Sequence, residues 1–143
     1  MFETFLNTHT SDIILSPLSD VEINMTENSF EELIGDKLPE EYLSFLKESN
    51  GFAVNGLHIF GSYDEEYLKQ FPRRKSYDII RFNVRFRDLT DISDYIMLGK
   101  SSLDYVVYDS SAEKKYQILT SGTMDIIDEY DSFIELLTAY YAS

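Results

Sequence analysis

A chain of 143 residues can bury one sizeable core and needs no second domain. Its 43% hydrophobic content, with 11 tyrosines and 10 phenylalanines, is that of a folding chain despite 26 acidic against 12 basic residues. The net charge of −14 repels nucleic acid and anionic membranes and attracts basic partners. The absence of Cys excludes disulfides, thiolate metal sites and a Cys nucleophile.

The first residues, MFETFLNTHT, lack a basic leader, a long apolar run and a small-residue cleavage site, so a cytoplasmic location without membrane contact is expected. Phe2, Phe5 and Leu6 share a helical spacing and predict a short helix that docks by its apolar side. Ile13 to Leu15 is too short to classify before Pro17. Ser29-Phe30-Glu31-Glu32 reads as a capping box opening a helix that buries Phe30, Leu33 and Ile34 and stops at Gly35.

The stretch Leu38 to Gly61 organises the rest. Pro39 suits a first helical position, and Glu40 and Glu41 follow in the turn where carboxylates favour the helix dipole. Leu38, Tyr42, Phe45 and Leu46 then form one apolar face, with Asn50-Gly51 supplying a left-handed end. Phe52 to Val54 and Leu57 to Phe60 flank Asn55-Gly56, the dipeptide of a tight type I′ hairpin.

Tyr63, Tyr67, Leu68 and Phe71 keep helical spacing up to Pro72. Over residues 78–88 two periods compete. Ile80, Phe82, Val84 and Phe86 alternate with polar residues as in a half-buried strand, whereas Ile79, Ile80, Asn83, Phe86 and Arg87 would line one side of a helix. Four short strands follow at Tyr95 to Leu98, Asp104 to Tyr108, Lys115 to Leu119 and Met124 to Tyr130, separated by tight turns, and predict an antiparallel meander. Ser132-x-x-Glu135 is a second capping box, and Phe133, Leu136, Leu137 and Tyr140 are the stripe of a closing helix that should pack across the sheet.

Chemistry-bearing motifs are sparse. Gly51, Gly56 and Gly61 recur at phosphate-loop spacing, but Leu57-His58 and Ser62-Tyr63 stand where Lys-Ser or Lys-Thr is required. His9 and His58 lack a partner at ligand spacing, and no Ser sits in a nucleophile elbow. Asp88, Asp91 and Asp94 lack the Gly and terminal Glu of a calcium loop. No enzyme and no cofactor is therefore expected. Arg73, Arg74, Lys75, Arg81, Arg85 and Arg87 supply half of the 12 basic residues and are expected to pair with the protein's own carboxylates. Tyr105 and Tyr108 fall on opposite sides of their strand by parity, which should leave one exposed as a binding anchor.

The Leu-Pro-acidic helix ending in Asn-Gly and running into a strand closed by Phe-Gly resembles the SUKH superfamily. That superfamily holds mostly bacterial immunity proteins, with a fungal cell-wall-assembly regulator as relative. The residues that carry the likeness are Leu38, Pro39, Tyr42, Phe45, Leu46, Asn50, Gly51, Phe60 and Gly61, within a match over Ser29 to Tyr141. The resemblance implies a single α+β domain, with N-terminal helices and a mainly antiparallel sheet closed by a C-terminal helix. It also implies a helix, not a strand, over residues 78–88. As function it implies an immunity protein that neutralises a cognate toxin by occupying the toxin's working surface. The alternative is a regulatory interaction scaffold in cell-envelope or stress signalling. The acidic charge adds that such a toxin is basic, for example a nuclease. The residues expected to bind it are Asp104, Tyr105, Asp109, Asp125, Asp128 and Glu129 on the late strands and turns, with Asp64, Glu65 and Glu66 as a second acidic site.

Overall fold

A computed structural model describes residues 2–8, 13–14, 16–54, 56–111 and 113–142; His9, Leu15 and Asn55 lie outside them. The elements in order are α1 (Glu3–Thr8), β1 (Ile13–Ile14), α2 (Asp20–Ile34), α3 (Glu40–Leu46), β2 (Phe52–Val54), β3 (Leu57–Ile59), α4 (Glu65–Gln70), a 3-10 turn (Pro72–Tyr77), α5 (Ile79–Thr90), β4 (Tyr95–Lys100), β5 (Asp104–Asp109), β6 (Tyr116–Thr120), β7 (Ile126–Tyr130) and α6 (Phe133–Ala142). The fold is α+β. All seven strands join one sheet in sequence order, each antiparallel to the next, so the meander predicted for the last four extends back to β1.

Helices cover both sides of this sheet. On one side Phe133 of α6 stacks on Tyr116 of β6 and meets Phe2, Tyr42 and Phe45. On the other, Phe82 and Phe86 of α5 pack edge-on against Tyr105 of β5. With both faces covered, Tyr116 to Leu119 of β6 are all buried, where a sheet wet on one side would alternate.

The apolar face of α3 is as expected: Tyr42, Phe45 and Leu46 are fully buried and the preceding Leu38 nearly so. Pro39 is the N-cap instead of the first helical residue, and the helix ends at Leu46, before Asn50-Gly51. Those two residues serve a different purpose. The Asn50 side chain receives the Ser62 N–H at 2.7 Å and donates to the Ser62 carbonyl at 2.9 Å. Gly51 adopts φ +96°, and a Cβ on Gly61 would lie 2.5 Å from the Asn50 carbonyl oxygen. Asn-Gly and Phe-Gly are thus two halves of one backbone crossing, which needs an amide and two residues without side chains.

The expected helix start at Ser29 is corrected. Ser19 and Glu22 form the capping box, and α2 runs unbroken from Asp20 past Ser29 to its left-handed cap at Gly35. No Gly or Pro lies between residues 20 and 34 to interrupt it, so the second Ser-x-x-Glu spacing falls mid-helix. Its buried residues are Ile23, Thr26 and Phe30, whereas Leu33 is 64% exposed, contrary to expectation.

Residues 79–90 form a helix, and Ile79, Asn83 and Phe86 are its buried residues. Asp78 starts it by accepting the Arg81 N–H at 3.0 Å while its other oxygen holds the Tyr63 N–H at 2.7 Å. That cap, with Asn83 facing inward, decides between the two periods the sequence contains.

Candidate functional site

Strand β7 is the last in the sheet, and nothing among the described residues pairs with its outer edge. Its first four residues are exposed, including Ile126 and Ile127 at 50% and 49%. Register sets Asp128 opposite Ile118 and Glu129 opposite Gln117, so the two carboxylates point to opposite faces of the edge. Glu129 accepts from Gln117 Nε2 at 2.8 Å. Asp125 is fixed in the preceding turn: its side chain accepts from Thr123 Oγ1 at 2.7 Å and its N–H donates to Thr120 Oγ1 at 3.1 Å.

Asp104 and Asp109 stand at the two ends of β5. Asp104 pairs in register with Thr120 and lies near the Asp125 turn; Asp109 accepts from Ser111 N–H and Oγ at 2.9 and 2.6 Å. Asp104 and Asp125 therefore share one end of the late strands, and Asp109 lies at the other. Tyr105 and Tyr108 do face opposite sides, but neither is exposed. Tyr105 is held against Phe82 and Phe86, and Tyr108 lies 4.9 Å from the Tyr116 ring. The expectation of one free anchor fails because it assumed a sheet with one wet face.

The tyrosines of this region register the surrounding charge. Tyr108 is raised by burial and then by Asp109 and Glu41, Tyr130 by burial and then Asp128, and Tyr95 by burial and then Asp109, Asp94 and Glu129. A negative field thus extends along β4, β5 and β7.

The second acidic group belongs to α4. Asp64 caps that helix through the Tyr67 N–H at 2.7 Å, Glu65 accepts from Arg81 at 2.8 Å, and Glu66 is exposed. Two of the three are thus engaged in local structure. Asp88, Asp91 and Asp94 make no cation cage either: Asp91 is the left-handed cap of α5, and among the described residues no three such side chains gather around a point. No described helix is long and apolar enough to cross a membrane.

Two features escaped sequence reasoning. Exposed Leu33 of α2 and Leu89 of α5, with half-buried Ile80 and Val84, line an apolar groove of about 690 Å³. Leu33 was its signal on α2, hidden because the expected helix start at Ser29 put that residue on the buried side. The basic stretch pairs internally only in part. Arg81 meets Glu65 and Asp78, and Arg87 meets Asp36 at 2.8 Å. Among the described residues no carboxylate comes within ion-pair distance of Arg73, Arg74, Lys75 or Arg85.

These elements define an acidic α+β domain with an open sheet edge. No family model matches the chain, and no curated protein matches it significantly.

Proposed function

We propose that this chain is a cytoplasmic protein-binding domain of the SUKH immunity kind, which neutralises a basic cognate toxin, such as a nuclease, through its late strands. The observation that carries this reading is β7: an edge unpaired among the described residues, on which Ile126 and Ile127 stand half exposed between Asp125 and the Asp128-Glu129 pair. An open edge offers a partner main-chain hydrogen bonds, the isoleucines offer apolar contact, and the carboxylates steer a basic surface toward both. Asp104 extends the same charge from the near end of β5, whereas the half-buried Tyr105 supports the sheet beneath.

The test is to search beside this chain's gene for one that encodes a basic toxin and to co-express the two. The parent should protect the cell. A variant carrying Asp104→Asn, Asp125→Asn and Asp128→Asn should fold like the parent yet protect at least tenfold less, about 1.4 kcal/mol of binding. Undiminished protection by that folded variant would exclude this surface.

A further inference from the structure

In a chain of net charge −14, one cleft is lined by cations and by no carboxylate. Its volume is about 700 Å³, and its walls are Pro72, Lys75 and Ser76 of the 3-10 turn, Arg81, Phe82 and Arg85 of α5, and Lys100 of β4. Arg81 is neutralised by Glu65 and Asp78. For Lys75, Arg85 and Lys100, no carboxylate lies within ion-pair distance among the described residues. Three elements thus bring three uncompensated cations to one opening.

Lys100 is positioned from beneath. Its Nζ lies 5.1 Å from the Phe82 ring centroid and 5.3 Å from that of Tyr77, so two aromatic faces hold the ammonium where a carboxylate would ordinarily do so. Neighbouring groups register the resulting positive field. Lys100 is lowered by burial and then by Arg85, and His58, its partner across β3 and β4, is lowered by burial and then by Arg74 and Lys100. Two bases pushed down by burial first and by neighbouring cations next accord with three cations that share one opening without a counter-charge.

We propose that this cleft binds a small phosphate-bearing polyanion, of the size and charge of a pyrophosphate or a nucleoside polyphosphate. The three free cations match the charge of two or three linked phosphoryl groups. The Arg85 guanidinium can grip a phosphate through two N–H groups, while the lysines act as point charges and the Ser76 hydroxyl can donate. The volume falls within the usual range for small-molecule sites, about 300 to 1,000 Å³. A long nucleic acid is disfavoured: it would cross the acidic surface around the cleft, whereas a small anion feels charges only within a Debye length of about 8 Å.

Isothermal titration of the full chain with inorganic pyrophosphate, ATP and adenosine, at fixed ionic strength and without divalent cations, tests this. Pyrophosphate and ATP should bind saturably at one site and raise the melting temperature, and adenosine should not bind. Tighter binding of ATP than of pyrophosphate would assign a nucleoside end to the Pro72 and Phe82 wall, and equal affinities would assign the phosphates alone; either supports the site. Arg85→Gln and Lys75→Gln change exposed side chains, so both should fold, and each should weaken binding roughly tenfold, the usual worth of one charge-assisted phosphate contact. Absence of saturable binding, unchanged affinity in both variants, or tighter binding of a single-stranded oligonucleotide or a Glu-rich peptide than of ATP would each overturn the proposal.

Discussion

The side-chain amide of Asn83 and the backbone of Met97 bond to each other in both directions: Asn83 Nδ2 donates to the Met97 carbonyl at 2.9 Å, and the Met97 N–H donates to Asn83 Oδ1 at 2.8 Å. The register between β3 and β4 pairs Lys100 and Gly99, and the Phe60 N–H reaches the Leu98 carbonyl at 2.8 Å, so among the described residues Met97 has no partner strand on that side. A helix residue completes the ladder instead, and by doing so docks α5 on the sheet. Asn83→Leu should therefore leave two buried backbone groups unpaired and cost about 3 kcal/mol. Urea denaturation followed by circular dichroism should show a lower midpoint with unchanged slope. A midpoint equal to the parent's would mean that α5 docks by apolar contact alone.

Phe45 is fully buried and meets the rings of Phe2, Tyr42 and Phe133 with centroids 5.4, 6.4 and 5.7 Å away. It joins the residue that precedes α1 to α3 and α6 over the sheet. Phe45→Ala should cost about 3 to 5 kcal/mol, as truncation of a buried aromatic does, and thermal melting would reveal it. A variant that melts with the parent would show that this cluster does not carry the fold.

The cluster was legible in the sequence because its signals are local. Leu38, Tyr42, Phe45 and Leu46 share a helix face, the hairpin and late strands are bracketed by turn residues, and α6 carries its own stripe. Where the reading failed or left two periods open, the deciding fact lay outside the short motif itself. Ser19 and Ser29 offer the same capping pattern, and only the unbroken run between them shows which begins the helix. Residues 79–90 fit two periods until Asp78 caps them and Asn83 finds Met97. The cations of 73–87 were expected to pair internally, but three of the nearby acids are taken: Asp78 and Glu65 by Arg81, and Asp64 by its own helix end. Strand parity placed Tyr105 and Tyr108 on opposite faces without indicating that each face has a helix over it.

His58 stacks on Tyr77 with centroids 4.1 Å apart and planes 7° off parallel, and its Nδ1 is buried without a hydrogen-bond partner. Burial, then Arg74 and Lys100, hold its folded pKa below the ordinary imidazole value of about 6.5. The unfolded chain therefore binds more protons than the folded one between that lowered pKa and about 6.5, so stability rises with pH across this window and is complete above it. Lowering the pH through this window should reduce the melting temperature before most carboxylates titrate. His58→Phe keeps the stacked ring and removes this titration, so its melting temperature should fall less than the parent's over the same interval. A parent profile as flat as the variant's would show that His58 is not desolvated in the fold.

If the β7 edge binds a basic toxin as proposed, charge and contact should contribute to it separately. If carboxylates steer a basic toxin, the association rate should fall steeply with added salt, because exposed charges are screened beyond about 8 Å at physiological ionic strength, while dissociation changes less. Asp125→Asn with Asp128→Asn should reduce both the association rate and its salt dependence. Ile127 acts differently: half exposed on the edge, it would be covered in the complex, so Ile127→Lys should place a like charge against a basic partner and raise the dissociation rate. Because Ile127 lies outside the buried core, this variant should melt near the parent. Surface plasmon resonance against the purified toxin separates the two rates. A salt-independent association rate would remove steering, and an unchanged dissociation rate for Ile127→Lys would move the contact away from β7, toward the second acidic group at Asp64, Glu65 and Glu66.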